Sequence, residues 1–81
     1  MEWFVYMVLC DDNTIYTGIT NDLKKRIEKH ISGKGAKYFR GRKPLKIVYT
    51  ENFKNRSIAT KREIEIKRLN RREKETLIKL I

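Results

Sequence analysis

Trp3-Phe4-Val5-Tyr6-Met7-Val8-Leu9-Cys10, then Asp11-Asp12-Asn13, then Thr14-Ile15-Tyr16-Thr17-Gly18-Ile19-Thr20 is the stretch from which the fold is read. Eight successive apolar, β-prone residues describe a strand covered on both faces. The acidic triplet is turn chemistry, and Asn13 tolerates a left-handed backbone. Residues 14–20, rich in Thr, Ile and Tyr, read as the returning strand of a hairpin. A three-residue loop from Asp11 to Asn13 pairs Cys10 with Thr14, and therefore Val8 with Tyr16 and Tyr6 with Gly18. Tyr6 and Tyr16 then share one face as diagonal neighbours, roughly 7–8 Å apart by backbone position. Gly18, opposite Tyr6, leaves an open space beside both phenols. Two strand tyrosines packed under a helix are the plainer reading of that pair.

Outward from the hairpin, Asn21 offers a helix N-cap and Asp22 suits the first turn. Leu23, Ile27 and Ile31 recur every four residues, and Gly33 can end that helix in a left-handed cap. Residues 33–44 form a basic loop punctuated by glycines, with room for one short helical turn. Lys46–Phe53 reads as a third strand with Ile47, Tyr49 and Phe53 on one face. A long helix is predicted from about Asn55 to Leu69, with Ile58, Ala59, Ile66 and Leu69 as its apolar arc. Asn70, with Glu73 three residues on, resembles a capping box and opens a last helix bearing Leu77, Ile78, Leu80 and Ile81. The order ββαβαα predicts one α+β domain over residues 1–81, a three-stranded antiparallel sheet flanked by helices.

Composition narrows the function. The chain has 81 residues, with 20 Lys+Arg against 10 Asp+Glu. Residues 1–20 hold three acids and no Lys or Arg, a net −3; residues 21–81 hold all twenty basic residues and seven acids, a net +13. A field so one-sided usually serves a polyanion, because a basic surface releases counterions from a phosphate backbone. The plain alternative is a basic, solvated surface. One Cys excludes an intramolecular disulfide framework and points to a reducing compartment. One Cys and one His cannot supply a four-ligand zinc site. The longest apolar run is far short of the about twenty residues that span a bilayer, and no basic segment precedes it. A cytoplasmic protein with no membrane partner is the expectation.

Three further side chains are candidates for chemistry. Arg26 and His30, four apart, share a helix face beside the apolar row; each is more often solvated or structural than functional. Glu63 borders the apolar arc of the second long helix, and an ion pair with Lys67 one turn on is its ordinary explanation. Its functional reading is a ligand for a hard cation, since magnesium sites often use one or two carboxylates and leave the rest to water and phosphate. Gly33-Lys34-Gly35 lacks the spacing and ending of a phosphate-binding loop. Ser32 and Ser57 have no spacing that suggests a catalytic triad. Lys37-Tyr38-Phe39-Arg40 interleaves cations with aromatics and could stack bases.

Together these residues resemble a GIY-YIG nuclease domain. Val5-Tyr6-Met7 stands for the first motif, in which the tyrosine counts, and Tyr16-Thr17-Gly18 for the second, ten residues on. The likeness continues through Thr20-Asn21-Asp22-Leu23, Arg26, His30, Gly33-Lys34-Gly35-Ala36-Lys37-Tyr38 and Pro44. It runs on through Val48-Tyr49, Ala59, Glu63, Ile66-Lys67 and Lys74, and so covers essentially the whole chain. The similarity is to the small stand-alone bacterial branch, related to the nuclease domain of the repair protein UvrC. It implies an endonuclease that hydrolyses phosphodiester bonds in DNA, in repair or recombination, with Mg²⁺ or Mn²⁺ on Glu63. Tyr16 or Tyr6 would take a proton from the attacking water; a phenol of pKa ~10 needs a nearby cation, such as Arg26, or a relay through His30. Arg26 would also stabilise charge on the phosphoryl oxygens. Gly18, Lys37, Tyr38, Arg40 and Lys67 are the residues expected to contact nucleic acid. A protein partner is a further expectation, as larger members use partner subunits. A non-catalytic binding module and a partner-dependent subunit are the rival readings.

Overall fold

The computed structural model describes residues 2–33, 39 and 41–79. Strands β1 (Trp3–Cys10) and β2 (Ile15–Thr20) form the hairpin, and β3 (Pro44–Phe53) flanks β1 on its other side. All neighbours are antiparallel and the sheet order is β2-β1-β3. The register is the one that loop length predicts: Tyr6 faces Gly18 and Val8 faces Tyr16. Cys10 N–H donates to Thr14 O at 2.9 Å, and Asn13 closes the turn at φ 67°. Asp12 braces the turn by accepting from Thr14 N–H at 3.2 Å and from its hydroxyl at 2.6 Å.

Val5, Tyr6, Met7 and Val8 are all buried, so β1 is covered on both faces as expected. On one face, Val5, Met7 and Tyr49 lie beneath Ala59 and Ile66 of α2 (Arg56–Lys67), with Leu77 and Ile78 of α3 (Arg71–Lys79) alongside. On the other, Tyr6, Val8, Cys10 and Phe39 pack with Leu23 and Ile27 of α1 (Leu23–Ile31). The element order is ββαβαα. The fold is the α+β architecture expected: one sheet with a thin core on each side.

Several boundaries differ from expectation, each for a local reason. Helix α1 is capped by Asp22, not Asn21: Asp22 has the extended backbone a cap requires, and its carboxylate accepts from Lys25 N–H at 3.1 Å. Ile31 does not join Leu23 and Ile27 inside but is exposed. Steps of four drift round a helix, so Ile31 sits about 80° from Leu23; His30, about 20° away, takes the buried place instead. Gly33 does end the helix left-handed, at φ 80°. Strand β3 starts at Pro44 rather than Lys46 and carries two irregularities. Met7 pairs with Tyr49 and Val8 with Ile47, which leaves Val48 as an extra residue. That insertion reverses the alternation, so Ile47 and Tyr49 fall on opposite faces instead of sharing one. Ile58, expected in the apolar arc of α2, lies about 100° round the helix from Ala59 and is half exposed. Helix α2 stops at Lys67 because the next cap intervenes. Asn70 N–H donates to the Glu73 carboxylate at 3.0 Å and Glu73 N–H to the Asn70 side chain at 2.9 Å, the reciprocal box expected. Leu80 and Ile81, and the loop residues Lys34 to Tyr38 and Arg40, lie outside the described residues.

Candidate active site at the edge of strand β2

Strand β2 is an edge strand, and helices from both faces of the sheet reach round its unpaired side. Between them lies a cavity of about 480 Å³. Its strand wall is Tyr16, Ile19 and Thr20, with Trp3 from β1 and Asn21 just beyond β2. Arg26 enters from α1, and Arg56, Thr60 and Glu63 enter from α2. A guanidinium and a carboxylate that the sequence holds thirty-seven residues apart thus meet across a sheet edge.

Glu63 reaches the cavity because it lies one turn from both Ala59 and Ile66, the two buried residues of α2. Its side chain is 17% exposed, whereas that of Lys67, its ion-pair partner at 3.4 Å, is 53% exposed. The pair is therefore lopsided: the carboxylate belongs to the cavity wall and the ammonium to the surface. Glu63 supplies the carboxylate of a wall that also holds Thr20, Asn21 and Thr60; the Thr60 hydroxyl donates to Arg56 O at 2.8 Å and the Thr20 hydroxyl to Asp22 O at 3.2 Å. Such a wall suits magnesium or manganese, which take few protein carboxylates and keep several waters. Among the described residues no group of three or more His, Cys, Asp or Glu side chains gathers to cage a metal.

The two motif tyrosines do meet, with ring centroids 6.2 Å apart, but their surroundings differ. Tyr16 lines the cavity. Tyr6 is fully buried behind it, and its hydroxyl lies 2.9 Å from His30 Nε2. Burial pushes the Tyr6 phenol up to about 12, against the opposing pull of the Arg26 guanidinium. Burial, with the Arg26 charge added, lowers His30 to about 4, so its imidazole is neutral at pH 7. Arg26 itself is held firmly protonated, first of all by the Tyr6 hydroxyl nearby. Its Nε and His30 Nδ1 are buried without a hydrogen-bond partner among the described residues. Phe39 closes over the imidazole at 4.3 Å between centroids and over Tyr16 at 5.0 Å.

Gly18 has a different part from the one expected. The space above it is not open: a Cβ there would lie 2.7 Å from the Tyr6 hydroxyl oxygen and 2.9 Å from the Tyr16 ring. A glycine is what lets both phenols lie over β2. The structure thus brings Tyr16, Arg26 and Glu63 to one cavity, puts Tyr6 and His30 in a buried layer behind it, and leaves Lys67 at its margin. Lys37, Tyr38 and Arg40 lie outside the described residues. The sequence reading missed Trp3, Arg56 and Thr60 as wall residues and took Asn21 for a cap. Only the position of Arg56, directly after the Asn55 cap, hinted that it opens a helix.

Known proteins resemble this chain over most of its length. The GIY-YIG catalytic domain matches residues 2–76. A UPF0213 protein of Natronomonas pharaonis is 48% identical over 77 residues, covering 95% of this chain and 91% of that protein. The solution structure of a UPF0213 protein from Bacillus halodurans superposes with a TM-score of 0.64 at 49% identity, covering 99% of this chain and 85% of that one. The solution structure of a protein from E. faecalis gives a TM-score of 0.68 at 38% identity, with the same coverages. Those relatives are close to this chain in length and share its sheet and helices, and with the motif tyrosines, Arg26 and Glu63 disposed as described, the chain belongs to the GIY-YIG family of nuclease domains, alongside its UPF0213 relatives.

Proposed function

We propose that the protein is a metal-dependent endonuclease that hydrolyses phosphodiester bonds in DNA, in repair or recombination. The observation that carries this reading is the convergence of Tyr16, Arg26 and Glu63 on one cavity at the β2 edge. Glu63 would hold the divalent cation, Mg²⁺ or Mn²⁺, and the ion would supply positive charge to offset that of the phosphate. Arg26 donates to the phosphoryl oxygens, where negative charge builds as water attacks. Tyr16, the motif tyrosine at the cavity wall, takes the proton of that water as its own hydroxyl proton passes on to solvent, so that it ends as the neutral phenol. Tyr6 and His30 are positioning residues, since a phenol pushed up to about 12 and a buried neutral imidazole are poorly placed to exchange protons with solvent.

The Glu63–Lys67 pair supports a second reading, a nucleic-acid-binding module, because the carboxylate already has a cation. One experiment separates the two. Supercoiled plasmid and labelled branched oligonucleotides are incubated with the protein, with and without Mg²⁺ or Mn²⁺. Metal-dependent cutting is expected, and Glu63→Gln should abolish it while DNA binding stays equal or tightens. A protein that binds but never cuts would favour the binding module, and full cutting by the Gln variant would refute Glu63 as the metal ligand.

A further inference from the structure

Arg56 is the cavity residue that no motif accounts for. It sits at the first position of α2, where the helix dipole favours an acid, yet the first turn of α2 contains none. Helix stability therefore does not explain an arginine here. Arg42, Arg62, Lys67 and Arg71 each pair with a carboxylate, but among the described residues no ion pair joins Arg56 to one. Its guanidinium carbon instead lies 5.4 Å from the centroid of the Trp3 ring, within the about 6 Å reach of a cation–π contact. Trp3 packs against the buried cluster of Val5, Met7 and Ala59, so the indole is a fixed platform.

Resting on the reading of this cavity as a phosphodiester site, we infer that Arg56, held over Trp3, grips the nucleic-acid backbone from the side opposite Arg26. The two guanidiniums approach from helices on opposite faces of the sheet and share one cavity with a carboxylate already paired to Lys67. That leaves the cavity in need of an anion. A planar fork of N–H donors matches phosphate oxygens two at a time, and about 480 Å³ is room for a short stretch of one backbone. Arg56 is thus a backbone-binding residue, and Trp3 its positioning residue.

The test uses the lone tryptophan of the chain as its own probe. Titration with a short oligothymidylate should change the indole emission, as phosphate closes on the guanidinium held over the ring. Arg56 is exposed, so Arg56→Gln should fold normally. It should remove the emission change and weaken binding about tenfold. Lys46→Gln is the control for one lost charge: Lys46 pairs with Leu9, six residues along β1 from Trp3, about 20 Å by strand rise. That is beyond the screening length, so its effect should stay within about twofold. Arg56→Lys should recover only part of the affinity, because an ammonium lacks the fork. By anisotropy of a labelled oligothymidylate, Trp3→Phe should bind nearly as wild type and Trp3→Leu like Arg56→Gln, with the double variant no worse than either. Arg56→Gln binding like Lys46→Gln, with the emission change intact, overturns the inference. If Arg26→Gln (or Arg26→Lys, should that chain unfold) is weakened in the same assay, the cavity reading survives that loss; if it too binds as wild type, the cavity reading falls with it.

Discussion

At the scale of single residues, the two tyrosines separate by environment alone. Tyr16 meets the cavity, and Tyr6 is sealed behind it against His30. Tyr16→Phe removes one oxygen and almost no volume, so the fold should persist while cleavage drops roughly 10²-fold; a gel assay on the same DNA substrates reads this directly. His30 gives a second prediction. Its folded pKa, about 4, is below the value of 6.5 for a free imidazole, so the unfolded chain binds the proton first. Stability is then complete above about pH 6.5 and is lost as pH falls toward 4, by on the order of 2–3 kcal/mol. Urea midpoints measured across that window should show the loss in the wild type. In His30→Gln, which has no imidazole to protonate, the loss should be markedly smaller, whatever that variant's own stability.

At the scale of elements, turns and caps set where each helix can present its side chains. The Asn70–Glu73 box ends α2 in time for α3 to turn back over the sheet, where Leu77 and Ile78 meet the core. Asn70→Ala removes the cap of α3 and should cost about 1 kcal/mol, read as a lower melting temperature. Cleavage should be unaffected at temperatures where the chain stays folded, because Glu63 is fixed by Ala59 and Ile66 rather than by α3. Strand β2 contributes by having an open side. With β1 central and β3 beyond it, only the outer edge of β2 faces both Arg26 and Glu63.

At the scale of the whole molecule, residues 21–81 carry a net +13 and residues 1–20 a net −3. Binding through phosphates should make affinity fall steeply with salt. About six neutralised phosphates give a log–log slope near −5, measurable by anisotropy over a salt series. A slope near zero on both duplex and single-stranded DNA would sink the nucleic-acid reading. No helix among the described residues is long and apolar enough to cross a membrane.

The sequence by itself determined the hairpin register, the left-handed turn at Asn13, the Gly33 terminus and the Asn70–Glu73 box. Each depends on neighbours a few residues away, and strand alternation or cap chemistry is complete within that span. It also put Tyr6 and Tyr16 on one face and named Arg26 and Glu63. It did not foresee that an extra residue at Val48 would split Ile47 from Tyr49, since a bulge is defined only against the partner strand. Nor did it separate a buried Tyr6 from a cavity-lining Tyr16, because the two differ in what α1 and Phe39 cover. Arg56 and Trp3, fifty-three residues apart, meet only because Ala59 and Ile66 bury themselves against β1 and carry the start of α2 to the sheet edge. Long-range burial of that kind, which no local period records, decided the cavity and its charge.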